Sequence, residues 1–193
     1  MRIAAGEVLD FWFGAPGSAE HGRPRQFWFS KSDATDALIR ERFGAAVDAA
    51  LRGRLDPWAD DDDARSALAL ILLLDQFTRN IFRDTARAFA GDAAALAVAR
   101  RLVGDGRHRR LAPVERWFAY LPFEHSEAID DQHESLRLFG ELADEGMTEP
   151  LAWARKHYEI IARFGRYPHR NAALGRASTA EEIEFLRQPG SGF

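Results

Sequence analysis

Ala64-Arg65-Ser66-Ala67-Leu68-Ala69-Leu70-Ile71-Leu72-Leu73-Leu74-Asp75-Gln76-Phe77-Thr78-Arg79-Asn80-Ile81-Phe82 is the stretch on which the fold turns. Leu70, Leu74, Phe77 and Ile81 recur at helical spacing and share one face. Ala67 to Leu74 is apolar on every side, so the spacing predicts a helix buried by several neighbours. Asp75 and Arg79 stand one helical turn apart, as do Gln76 and Asn80, and each pair can meet. A charge placed there must be paired, because desolvating it alone costs several kcal/mol.

The rest of the chain follows the same grammar. Ile3, Val8, Phe11 and Trp12 predict a short helix that stops at Gly14. Ser32 caps a helix that carries Asp33 and Asp36 in its first turn and runs to Leu51. Further helices are expected from about residue 92 to 103, 113 to 120, 127 to 142, 150 to 164 and 179 to 186. Pro113 suits a first helical position, and Gly104, Gly146 and Gly165 suit helix ends. Ser178-Thr179-Ala180-Glu181 reads as a capping box with Ser178 as the cap. No segment alternates with β-branched enrichment, so the expected class is all-α. Eight or nine helices in one domain over residues 1–193 allow either an irregular bundle or stacked helix pairs, and no clean repeat decides between them.

Composition removes several functions. The 193 residues contain 46% apolar side chains, with five Trp and fourteen Phe, as a folded domain with a large core requires. With no cysteine there is no disulfide, thiolate metal site or cysteine nucleophile. A formal charge of −4 gives no basic face for nucleic acid. The longest apolar run is the eight residues Ala67 to Leu74, well short of the roughly 20 that cross a bilayer. Glu7 and Asp10 interrupt any secretory leader, so a cytoplasmic protein without membrane partners is expected.

Two further clusters carry chemistry. Arg163-Phe164-Gly165-Arg166-Tyr167-Pro168-His169-Arg170-Asn171 packs three guanidiniums and an imidazole into a helix stop. Such donors recognise carboxylate or phosphate, or else serve as an ion-pair hub. A connection of about thirteen residues follows to the next helix, and its Tyr167, Pro168 and Leu174 argue for an ordered loop. Pro122-Phe123-Glu124-His125-Ser126-Glu127 sets a histidine among carboxylates in an aromatic turn, as general acid–base chemistry or a metal would use. A di-metal bundle is disfavoured: Asp130-x-x-His133 is a single approximate copy, and Ala154 stands three before His157. Asp60 to Asp63 lack the spacing and central glycine of a calcium loop and are expected to start a helix.

Together with Val8-Leu9-Asp10-Phe11-Trp12-Phe13-Gly14 and Ser178 to Glu182, these segments resemble the bacterial domain-of-unknown-function family 924 over essentially the whole chain. The resemblance departs at Thr78, where the family often has proline. It implies a tetratricopeptide-like helical array, an α-α superhelix with degenerate repeats, and brings no established reaction or cofactor.

The expectation carried forward is one composite polar pocket. Arg79, His169 and Arg170 would hold a small anionic molecule, His125 and Glu127 would form a proton-transfer or metal-binding pair, and Asp75, Asn80 and Asn171 would complete the lining. No metal or other cofactor is assigned. The alternative is a non-catalytic module that holds a peptide or protein on the concave face of a helical solenoid.

Overall fold

The structure, a computed structural model, describes residues 3–192. Among them the regular elements are all helical. In chain order the α-helices are α1 (Ala5–Phe13), α2 (Asp33–Leu51), α3 (Pro57–Asp60), α4 (Ala64–Ile71), α5 (Thr78–Ile81), α6 (Asp92–Gly104), α7 (Pro113–His125), α8 (Ile129–Asp144), α9 (Glu149–Phe164) and α10 (Ala180–Leu186). No helix among the described residues is long and apolar enough to cross a membrane.

Local chemistry sets most of the boundaries. Ser32 Oγ accepts from Thr35 N at 3.2 Å and starts α2, and Asp63 Oδ1 accepts from Arg65 N at 3.0 Å and starts α4. The aspartate run thus ends one helix and caps the next. Pro113 opens α7, where its missing N–H leaves no orphan donor. Gly165 closes α9 in the left-handed region at φ 67°, with its N–H on Ile161 O at 2.8 Å. The capping box of α10 lies one residue later than its sequence suggests. Thr179 is the cap, accepting from Glu182 N at 3.2 Å, while Glu182 Oε2 accepts from Thr179 N at 2.7 Å. Both Ser178 and Thr179 have a glutamate three residues on, so pattern alone could not choose.

The central helix holds the largest departure. Between α4 and α5 the chain continues as a π-helix, Leu72–Phe77, with i→i+5 bonds. Side chains meet the carbonyls of this widened turn: Thr78 Oγ1 donates to Leu74 O at 2.8 Å, and Arg79 Nη1 to Asp75 O at 2.7 Å. Gly91 packs directly on the same turn. A Cβ there would lie 2.1 Å from Leu74 O, so only glycine lets α6 begin where it does.

α1, α2, α3, α6 and α7 converge on the α4–π–α5 rod, whose residues Ala67 to Phe77 are all buried. The aromatic centre surrounds Phe77, with ring centroids 5.0 Å from Phe43 and 5.3 Å from Trp12. Trp28 and Phe118 extend it at 4.7 Å. Each such pair adds about 0.5–1.5 kcal/mol beyond the area it buries. From α6 onward the packing is serial instead: α6 on α7, α7 on α8, α8 on α9. That half is compatible with a tetratricopeptide-like array, whereas the first half is bundle-like. One core cluster runs through both, from Val8 to Ala154, and Ile160, Ile161 and Tyr167 form a smaller one.

Proline does not stop α7. The helix expected to end near Tyr120 runs through Pro122 to His125, at the cost of the backbone bond to the Phe118 carbonyl. Glu124 and His125 therefore project from a buried helix end and not from a turn.

Candidate functional site

Asp75 leaves the π segment on the side facing α7, with no exposed surface. Its Oδ1 accepts from His125 Nδ1 at 2.6 Å and its Oδ2 from Gln76 Nε2 at 2.6 Å. Arg79 Nη1 approaches Oδ1 to 3.2 Å. Burial alone would raise the Asp75 pKa, but Arg79 and His125 outweigh it and hold the group well below the usual carboxylate range. For His125 burial and the Arg79 charge win over Asp75, so the imidazole pKa falls below its ordinary value. The pair at neutral pH is a carboxylate accepting from a neutral ring. With Nδ1–H committed to Asp75, the His125 Nε2 carries the lone pair.

Two arginines meet on one carboxylate. Asp92, the first residue of α6, accepts from Arg79 Nη1 at 2.8 Å and Nη2 at 3.0 Å, and from Arg170 Nη1 at 3.2 Å. Arg170 Nη1 also donates to the His125 carbonyl at 3.0 Å. Gly91 fixes this junction, because its contact with Leu74 sets Asp92 beside the start of α5. Phe89 lies against both guanidiniums, its centroid 4.8 Å from Arg170 Cζ and 5.6 Å from Arg79 Cζ.

Behind the dyad lies a second pair. Glu124 is buried, and its Oε1 is 3.3 Å from His157 Nδ1, which also donates to Trp153 O at 3.0 Å. Burial, reinforced by Asp75, pushes the Glu124 carboxyl up to about 8. Burial pulls His157 down to about 3 and His169 down to about 4. These are neutral groups at pH 7, so the Glu124–His157 contact is not an ion pair. Tyr167 OH closes the floor, donating to Glu124 O at 2.5 Å and accepting from Gln132 Nε2 at 2.9 Å.

Of the residues marked from sequence, Asp75, Arg79, His125 and Arg170 come together through direct bonds. His169 joins them electrostatically, with its pKa held down by burial and then by Arg170 and Arg79. Glu127 is not the partner of His125. It clamps the loop instead, accepting from Tyr167 N at 2.8 Å and from Arg176 at 2.7 and 2.9 Å. Asn80 faces α2 and donates to Asp36 Oδ1 at 2.8 Å. Asn171 reaches Ser178 Oγ at 3.1 Å, near the α10 cap. Arg163 and Arg166 pair with Glu181 and Glu182, which leaves Arg170 as the arginine of that run in the cluster.

Sequence reasoning passed over Asp92, Phe89, Glu124 and His157 as members. A carboxylate directly after Pro122-Phe123 was the readable sign for Glu124. Two open surface depressions lie away from the cluster, one lined by residues that include Arg23 and Phe27, the other by Arg109 and Glu145 among others. Among the described residues no group of three or more His, Asp or Glu is arranged to hold a metal ion.

These features define an all-helical protein with a buried Asp–His dyad set beside two arginines. The chain belongs to the family described as bacterial protein of unknown function (DUF924), matched over residues 8–190. It is similar in structure to a protein of unknown function from Agrobacterium tumefaciens, with 39% sequence identity and a TM-score of 0.83 over 95% of this chain and 96% of that one. No curated protein matches it.

Proposed function

We propose that the Asp75–His125–Arg79–Arg170 cluster binds a small anionic molecule and handles a proton on it. The observation that carries this is the 2.6 Å Asp75–His125 hydrogen bond, fully buried on the Asp75 side and set against two guanidiniums. A carboxylate on Nδ1 fixes the tautomer and stabilises the imidazolium that forms when Nε2 takes a proton, the role of the buried aspartate in hydrolase triads. The chemistry this supports is proton transfer to or from the bound molecule. About 13% of the His125 side chain and 21% of Arg79 reach solvent, which gives the dyad an edge to the outside.

The charges fit a monoanion. Arg79 and Arg170 are matched by Asp75 and Asp92, while Glu124 and the three imidazoles are neutral at pH 7. A bound anion brings one negative charge into this balanced set, and a proton on His125 compensates it.

The test is thermal denaturation against acetate, benzoate, phosphate and sulfate, with chloride as the ionic-strength reference. A saturable rise in Tm is expected for at least one of them, since a ligand at a hundred times its Kd adds about 2.7 kcal/mol to native stability. In His125→Gln that rise should lose its pH dependence. A flat response across the panel overturns the anion site and favours the interaction module.

A further inference from the structure

Arg170 uses its guanidinium unevenly. Nη1 serves both Asp92 and the His125 carbonyl, but Nε is shielded from solvent and meets no acceptor among the described residues. No hydrogen bond from Nη2 forms among the described residues either. The ring centroids of Tyr167 and Phe89 stand 4.4 and 4.8 Å from Cζ, so two aromatic rings pack against the guanidinium. The whole residue is 6% exposed. A buried charged group with an unused donor is costly to the free protein.

The neighbouring arginines do not leave Nε and Nη2 unused together. Arg176 also buries an Nε without an acceptor among the described residues, but its Nη2 is taken by Glu127 and the Tyr167 carbonyl. Arg79 commits Nη1 and Nη2 to Asp92, and Arg163, Arg166 and Arg176 fork onto Glu181, Glu182 and Glu127. In a planar guanidinium Nε–H and one Nη2–H are parallel and spaced for the two oxygens of one carboxylate.

We infer that the Nε/Nη2 edge of Arg170 docks the carboxylate of a small organic acid. The inference rests on the anion site proposed above and names its ligand class. A planar carboxylate meets that edge with both oxygens in the guanidinium plane, whereas a tetrahedral phosphate carries further oxygens out of it, into a site already packed by two rings. A dianion would also leave a second uncompensated charge in the balanced cluster. For the oxygens to reach Nε a shielding side chain must move. Phe89, half-buried on the outer 3-10 turn Ala86–Phe89, is freer to do so than the fully buried Tyr167.

The experiment measures acetate, benzoate and inorganic phosphate binding to the wild-type chain and to Arg170→Lys, which keeps the charge and loses the fork. Arginine Nε–H NMR of the wild type runs alongside, so the result does not hang on the variant folding. Acetate and benzoate should bind saturably, shift the Arg170 Nε–H resonance, and lose at least about tenfold in affinity in Arg170→Lys, the factor one bidentate hydrogen bond supplies. Phosphate binding without carboxylate binding overturns the carboxylate class and leaves the anion site standing. Carboxylate binding that leaves the Arg170 resonance unmoved overturns the edge. If none of the three binds, the anion site falls as well.

Discussion

Phe77 and Asp75 lie two residues apart on one π turn, and both are fully buried, yet they answer to different physics. Phe77 enters a nest of rings in which each contact is weak, adaptable and shared with Phe11, Trp12 and Phe43. Asp75 enters a network in which each partner is singular and removing one leaves a buried charge exposed to low dielectric. The aromatic side stabilises the fold by volume. The polar side holds a geometry, and carries groups such as Glu124 that the fold would be steadier without.

The harshest way to test this division is at the junction between the regions. Gly91→Ala drives a methyl into the Leu74 carbonyl and should cost about 4 kcal/mol or more in urea unfolding, beyond what one lost side-chain contact explains. If the variant is as stable as wild type, the junction does not fix Asp92. Next comes the ring nest: Phe77→Ala should lose about 3–5 kcal/mol through transfer and cavity terms. It should do so equally at pH 6 and pH 8, because the rings that Phe77 touches exchange no proton.

The polar side should behave in the opposite sense. Glu124→Gln is expected to stabilise the protein by on the order of 1–3 kcal/mol at pH 8, since the amide oxygen still accepts from His157 and no burial-shifted acid remains. The sign follows from linkage. The folded Glu124 pKa of about 8 lies above its ordinary 4.5, so stability is full below 4.5 and falls as pH rises towards 8. His157 at about 3 and His169 at about 4 lie below 6.5, so their contribution is full above 6.5 and falls as pH drops. Wild-type Tm should peak between about pH 6 and 7, and Glu124→Gln should flatten the alkaline limb alone. A profile with no alkaline limb would place Glu124 outside the division. Smallest of all, Arg163→Ala removes a half-exposed pair with Glu181 and should cost under about 0.5 kcal/mol.

Helix ends were legible where one residue type has one use. Ser32, Pro113 and Gly165 each act as their chemistry demands, and the all-helical class follows from them and the spacing of the apolar residues. The π turn was not legible, because spacings of four, three and four satisfy an α-helix and a slightly widened one alike. Pro122 misled for a related reason: proline usually ends a helix, but one absent N–H is tolerated where packing holds both sides. Of the cluster, Asp75, Arg79, His125 and Arg170 stood out in the sequence because they are polar residues in apolar, aromatic or helix-stop surroundings. Asp92 was hidden by its ordinary place at a helix start, and Glu127 was matched to His125 because they stand close in sequence, whereas the carboxylate that accepts from His125 is Asp75, since pairing across the fold is not written in local spacing.

The π turn also sets what kind of change the central helix can absorb over many generations. Exchanges among Leu, Ile and Phe at its apolar positions alter volume and leave the direction of every other side chain intact. A gain or loss of one residue between 72 and 77 is different: the rod could close as an ordinary helix, but everything beyond it would turn by about 100°. Thr78, Arg79 and Asn80 would then face the wrong neighbours while the helix itself remained sound. This segment is therefore constrained in length before it is constrained in composition, and related chains should align across it without a gap.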